Sequence, residues 1–271
     1  MSLKPLLLAA TAAAVAGPAW AGETACWFDR GVVVVAAQVA GVTGDFILDT
    51  GAPQTLLAET QAQGAGYEET ALTGEVVLAG ERMAKRLLVV KDIDIRTGLF
   101  ATPIAGVIGA DVMKAYVLDL SFAPCRVSLH APGHAPRLVG ATVLPLTWLG
   151  GVPTADAAAS DGPHTASGPF ALATGSDTAV RLSDAYAAAP GAPQPQEVYP
   201  YGVLRPWLRA LSIARLIAEA LPAGLIKGQD PTLLGEIGAP LLAAWQVRFD
   251  FPAGKLYLRP NEKGPGSRRG P

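Results

Sequence analysis

Cysteine, histidine and positive charge are all scarce in this chain, and each scarcity excludes something. Two cysteines are too few for a disulfide scaffold or a cysteine-rich metal site. The three histidines, His130, His134 and His164, stand in Pro- or Gly-rich stretches with no cysteine or acidic cluster at ligand spacing. They read as surface side chains, and no metal is expected. Lys and Arg number 21 against 23 Asp and Glu, a formal net charge of −2 with no basic run before Arg268-Arg269. That balance gives no field for nucleic acid. Beyond the N-terminus no stretch reaches the roughly eighteen uninterrupted apolar residues of a membrane span.

What is present begins with Lys4, an apolar run over residues 5–16, and Ala19-Trp20-Ala21. This is the pattern of a secretory signal peptide over residues 1–21, cleaved before Gly22, and it implies a periplasmic or secreted protein. Lipid attachment at Cys26 is set aside, because Glu23-Thr24-Ala25 lacks the apolar and small residues of a lipoprotein processing site. Export permits Cys26 and Cys125 to pair. A disulfide between them is the expectation, with two buried thiols as the alternative. Roughly 240 residues remain, enough for one large domain or two lobes. The Gly- and Pro-rich end, residues 261–271, reads as a disordered tail.

The chain repeats itself. Phe46-Ile47-Leu48-Asp49-Thr50-Gly51-Ala52 returns as Phe170-Ala171-Leu172-Ala173-Thr174-Gly175-Ser176 at an offset of 124. Gly106-Val107-Ile108-Gly109-Ala110 returns as Gly235-Glu236-Ile237-Gly238-Ala239 at an offset of 129, continuing to Phe122 with Phe251 and Leu129 with Leu258. Two matches in one order at nearly one offset imply two homologous lobes, 22–130 and 144–260, joined by a linker over 131–143.

The texture is that of strands. Residues 31–39 are β-branched and glycine-bounded, and Gly44-Asp45 is expected to turn the chain into Phe46-Ile47-Leu48. Residues 74–82 and 86–90 form the next expected hairpin. Segment 204–221 has apolar residues at helical spacing behind Pro206, but the repeat lays Arg215-Leu216-Ile217 over Arg86-Leu87-Leu88 and favours a strand.

A short apolar strand ending in Asp-Thr-Gly-Ala, then a hairpin, then Val107-Ile108-Gly109-Ala110, with Gly109 60 positions after Asp49, resembles the aspartic proteases. Both the pepsin-like and retropepsin-like families share the pattern, and exported bacterial retropepsin-like proteins are the nearest resemblance, over nearly all of the mature chain. The resemblance implies an all-β fold: two pseudo-symmetric β-barrel lobes with a cleft between them, Asp49 on a loop at its floor. It implies peptide-bond hydrolysis in an extended polypeptide by carboxylate-activated water, with no cofactor and no covalent intermediate. The missing Ser-His and Cys-His constellations accord with that.

Such chemistry uses two carboxylates, because like charges a few ångströms apart cannot both ionise. Each lobe, or each subunit of a dimer, supplies one, and the following threonine bonds across the interface. Here the second lobe keeps Thr174 and Gly175 but has Ala173 where the second aspartate belongs, and Asp177 is four residues away. Three readings follow: two chains pair their Asp49 residues in a homodimer, one chain uses Asp49 alone or with a substitute carboxylate, or the cleft binds peptide or a protein partner without cutting. Gly51, Gly109, Gly175 and Gly238 are expected where a tight loop excludes Cβ, Ala52 completes the active-site loop, Ala110 and Ala239 pack, and Pro53 stiffens the turn after the motif.

Overall fold

A computed structural model describes residues 22–196 and 206–261. The expected signal peptide, the tail beyond Asn261 and the start of segment 204–221 lie outside the described residues. The first lobe runs β1 (Gly22–Asp29), β2 (Val32–Val39), β3 (Val42–Leu48), β4 (Leu56–Ala58), α1 (Glu59–Gly64), β5 (Ala71–Leu78), β6 (Glu81–Lys91), α2 (Asp94–Thr97), β7 (Ile104–Ile108), α3 (Ala110–Met113), β8 (Val117–Phe122) and β9 (Cys125–His130). The second follows with β10 (Thr142–Pro145), β11 (Thr147–Leu149), β12 (Val152–Ser160), β13 (Thr165–Ala173), β14 (Val180–Ser183), α4 (Asp184–Ala187), β15 (Trp207–Ile213), β16 (Leu216–Ile226), β17 (Gly235–Gly238), α5 (Ala239–Leu242), β18 (Trp245–Asp250) and β19 (Lys255–Pro260).

The two lobes are the same object built twice. In the first, β2-β3-β7-β4-β6-β5 closes where β5 returns to β2; in the second, β12-β13-β17-β14-β16-β15 closes where β15 returns to β12. In each barrel the strand that ends at the motif lies parallel to the strand that ends at the Ile-Gly pair, β3 with β7 and β13 with β17. Alternation fills the interiors: Val33, Val35, Ala37 and Val39 point inward from β2, and Ala155, Ala157 and Ala159 from β12. Alanine is a poor strand former, so β12 is strand because β13 and β15 pair with it on both edges. Residues 207–226 are the hairpin β15–β16, the strand alternative.

A six-stranded antiparallel sheet, β10-β19-β18-β8-β9-β1, joins the barrels. Its centre is the pair β8–β18, where Asp119 faces Arg248. Arg248 Nε reaches Asp119 Oδ1 at 2.5 Å and Nη2 reaches Oδ2 at 2.6 Å, with side chains only 7% and 13% exposed. That bonding raises the Arg248 pKa further against the opposing effect of burial. His130 is buried, against the surface expectation, because its Nε2 lies 3.1 Å from Asp119 Oδ2 on the neighbouring strand. β1 pairs with β9 through its first half and with β2 through its second. Cys26, at the changeover, forms a disulfide with Cys125.

Two expected turns move. The chain reverses at Ala40-Gly41, and Gly44 and Asp45 pair within β3; the second hairpin turns at Ala79-Gly80, not after Arg82. Both turns hold two residues at positive φ, a two-residue loop whose twist matches the strands it joins.

Candidate functional site

β3 and β13 run toward each other at the seam between the barrels and deliver their motifs as facing loops. Asp49 leaves β3 with its N–H bonded to Ile108 O at 2.9 Å, so β7 fixes the backbone beneath it. Ala110 N–H to Ala52 O, 2.7 Å, closes the first loop, and Ala239 N–H to Ser176 O, 3.0 Å, closes the second.

The threonines then lock the loops together. Thr50 Oγ1 donates to Leu172 O at 2.5 Å and accepts Thr174 N–H at 3.2 Å. Thr174 Oγ1 donates to Leu48 O at 2.6 Å and accepts Thr50 N–H at 3.0 Å. Both residues are fully buried. Each hydroxyl thus satisfies a carbonyl and an amide that water cannot reach, and the bonds mirror one another across the pseudo-two-fold axis.

Asp49 is 6% exposed and sits on this support. Its Oδ1 accepts Gly51 N–H from its own loop at 2.9 Å and Gly175 N–H from the opposite loop at 3.1 Å. Two amide donors stabilise negative charge at that oxygen. Gly175 must lack a side chain, because a Cβ there would stand 2.4 Å from Asp49 Cγ. Gly51 is its mirror image: a Cβ there would meet Ala173 Cβ at 2.5 Å. Ala173, 2% exposed, therefore occupies the place opposite Asp49 that a second aspartate would take. Asp177 is not there. It bonds Arg181 Nη2 at 2.5 Å with its side chain 58% exposed. Gly109 and Gly238 are equally confined, with Gln54 and Thr178 backbone within 2.5 Å of an added Cβ, and Ala110 and Ala239 are fully buried.

The walls beside Asp49 differ in kind. A cavity of about 410 Å³ is lined by Val32, Ile47, Leu99 and Phe100 from the first lobe and by Gly175, Asp177 and Arg181 from the second, with Arg30 at its edge. A second, of about 370 Å³, lies among Pro53, Asp111, Lys114, Trp148 and Gly151. Burial pushes the Asp111 carboxyl up, against a hydrogen bond from Thr55 at 2.9 Å.

Two further residues at this site belong to no motif. In the first lobe Leu56 pairs with Val107; at the same register in the second, Arg181 pairs with Glu236. Glu236 is 5% exposed, and its Oε1 accepts Arg181 Nη1 at 3.1 Å. The signal was a charged residue at a buried apolar position of the repeat. Burial pushes its carboxyl above the ordinary range, Ser176 and Arg181 oppose the rise, and the charge of Asp49 adds to it.

Residues 35–122 match the aspartyl protease family model, a span that holds Asp49 and the Val107–Ala110 stretch but none of the second lobe. The crystal structure of an aspartic proteinase from Irpex lacteus shares the fold, with a TM-score of 0.58 at 13% identity over 92% of this chain and 99% of that one. No curated protein matches the sequence.

Proposed function

We propose that this chain is an exported aspartic-type endopeptidase that works as a single chain, with Asp49 as its base and an extended polypeptide as its substrate. The observation that carries the reading is the seating of Asp49: one carboxylate oxygen held by an amide from each lobe, over an interlocked threonine pair. Such a seat costs two glycines and two buried hydroxyls, which a loop without chemistry does not require. Asp49 takes a proton from water as the water oxygen adds to the scissile carbonyl carbon. When the carbon–nitrogen bond breaks, the same proton passes to the leaving amine, so acid and amine products balance the peptide and water consumed.

Ala173 favours a second reading, a cleft that holds peptide without cutting it, because the site lacks the usual second aspartate. One set of variants separates the two. Asp49→Asn, which keeps shape and removes the base, should abolish cleavage of an unfolded polypeptide while the unfolding curve stays put. Ala173→Asp should raise acid-side activity, since the pair would then share a proton. Equal cleavage by wild type and Asp49→Asn would remove Asp49 from the chemistry. Tight peptide binding without cleavage by either the wild type or Ala173→Asp would establish the binder.

A further inference from the structure

The second lobe has lost the aspartate at Ala173, yet it has gained a carboxyl beside the same loop. Glu236 stands in the middle of β17 between Ala171 of β13 and Arg181 of β14. Its counterpart Val107 packs with Val32, Val34 and Ile47, an apolar surround. Replacing an apolar pair by a buried ion pair is a poor route to stability, because desolvation takes back most of what the charges gain. The exchange of Leu56 and Val107 for Arg181 and Glu236 therefore calls for a reason other than packing.

The hydrogen bonds supply one. Gly175 N–H holds Asp49, and the next residue, Ser176, accepts Arg181 Nη1 at 3.0 Å, the same nitrogen that donates to the Glu236 carboxyl at 3.1 Å. Arg181 is divided between Asp177 and Glu236, and Gln229 Nε2 donates to Glu236 Oε2 at 3.3 Å. Two carboxyls thus share one guanidinium with the Asp49 carboxylate beside them, while Arg30 stands at the exposed rim of the cavity. Like charges so placed do not all ionise, and of the two carboxyls on Arg181 the proton stays on the one less able to reach water. Glu236, with its side chain 7% exposed, is better excluded from water than Asp177.

Resting on the endopeptidase reading above, we infer that Glu236 is the second carboxyl of this site, a positioning residue that keeps the shared proton and leaves Asp49 as the working negative charge. It acts through the Ser176 loop and not on substrate. While Glu236 is neutral, the site carries one carboxylate charge at the point of water attack. As pH rises and Glu236 ionises, a second negative charge opposes the oxyanion that develops on the scissile carbonyl, and activity falls.

The test pairs kinetics with a titration that needs no turnover. Glu236→Gln removes the titrating group while keeping its shape, so the alkaline limb of kcat should move up by about one pH unit or more. Arg181→Leu combined with Glu236→Val restores the apolar pair of the first lobe and should also lose that limb, which covers the case where Glu236→Gln folds poorly. In carboxyl-carbon NMR of labelled protein, Glu236 should titrate above the ordinary range, and Asp49→Asn should bring it down. Superimposable pH profiles for wild type and both variants, or a Glu236 titration that Asp49→Asn leaves in place, would overturn the inference even where Asp49 proves essential. A wild type that cleaves nothing would instead overturn the endopeptidase reading, with the NMR coupling still deciding whether the two carboxyls share a proton.

Discussion

Thr174 shows how much one hydroxyl can hold. Its Oγ1 joins Leu48 O and Thr50 N–H, both in the other lobe and both buried. Thr174→Val keeps the shape and removes the oxygen, leaving a carbonyl and an amide without partners. A loss of about 2–4 kcal/mol should follow, read as a lower urea midpoint, while Thr174→Ser stays near wild type. An effect below about 0.5 kcal/mol for the valine variant would mean that the lobes do not depend on this lock. At this scale the sequence was legible wherever a residue type is bound to a motif: the two threonines bond across the seam, and the four glycines stand where a Cβ would clash. Glu236 and Arg181 escaped because a charge in one copy of a worn repeat looks like drift until the register sets the two side by side.

At the scale of elements, β1 carries an unusual load. It belongs to the interlobe sheet through residues 22–25 and to the first barrel through residues 26–29. Its disulfide closes a loop of 99 residues just where it changes sheets. Chain-entropy reasoning puts such a crosslink at about 2–5 kcal/mol, so Cys26→Ser with Cys125→Ser should lower the thermal midpoint by several degrees. Unchanged melting would show that pairing with β9 and β2 suffices to hold β1. The strands themselves could be read from apolar content and from the repeat. Their turns could not, because Ala40-Gly41 and Ala79-Gly80 carry no asparagine or aspartate to announce them, whereas Gly44-Asp45 does and yet pairs in mid-strand. Barrel closure decides where the chain reverses, and that demand comes from strands distant in sequence.

The whole molecule is a duplication whose halves have become unlike where they meet. Asp119 and Arg248 are 129 residues apart, the same offset that relates Gly106 to Gly235, so they are one position of the repeat facing itself across the pseudo-two-fold axis. In two identical first lobes joined through β8, aspartate would face aspartate. Here a bidentate ion pair fills that place, and it favours the second lobe over another copy of the first. The duplication was visible in the sequence, but this pairing was not, since each charge alone resembles a surface residue on a strand. Arg248→Leu should cost about 3–5 kcal/mol, because it strands a largely buried carboxylate, and Asp119→Leu added to it should recover most of the loss. The same asymmetry bears on how the active unit is built. If the lobes of one chain form the site, as the reciprocal threonine bonds arrange it, wild-type peptidase activity per mole should hold constant across a hundredfold dilution, with sedimentation reporting a single chain. Arg248→Asp, which sets two like charges on the axis, should loosen the lobes and lower activity by the same factor at every concentration. Activity that falls on dilution of the wild type would place the second carboxyl in another molecule and make Asp49 of two chains the working pair.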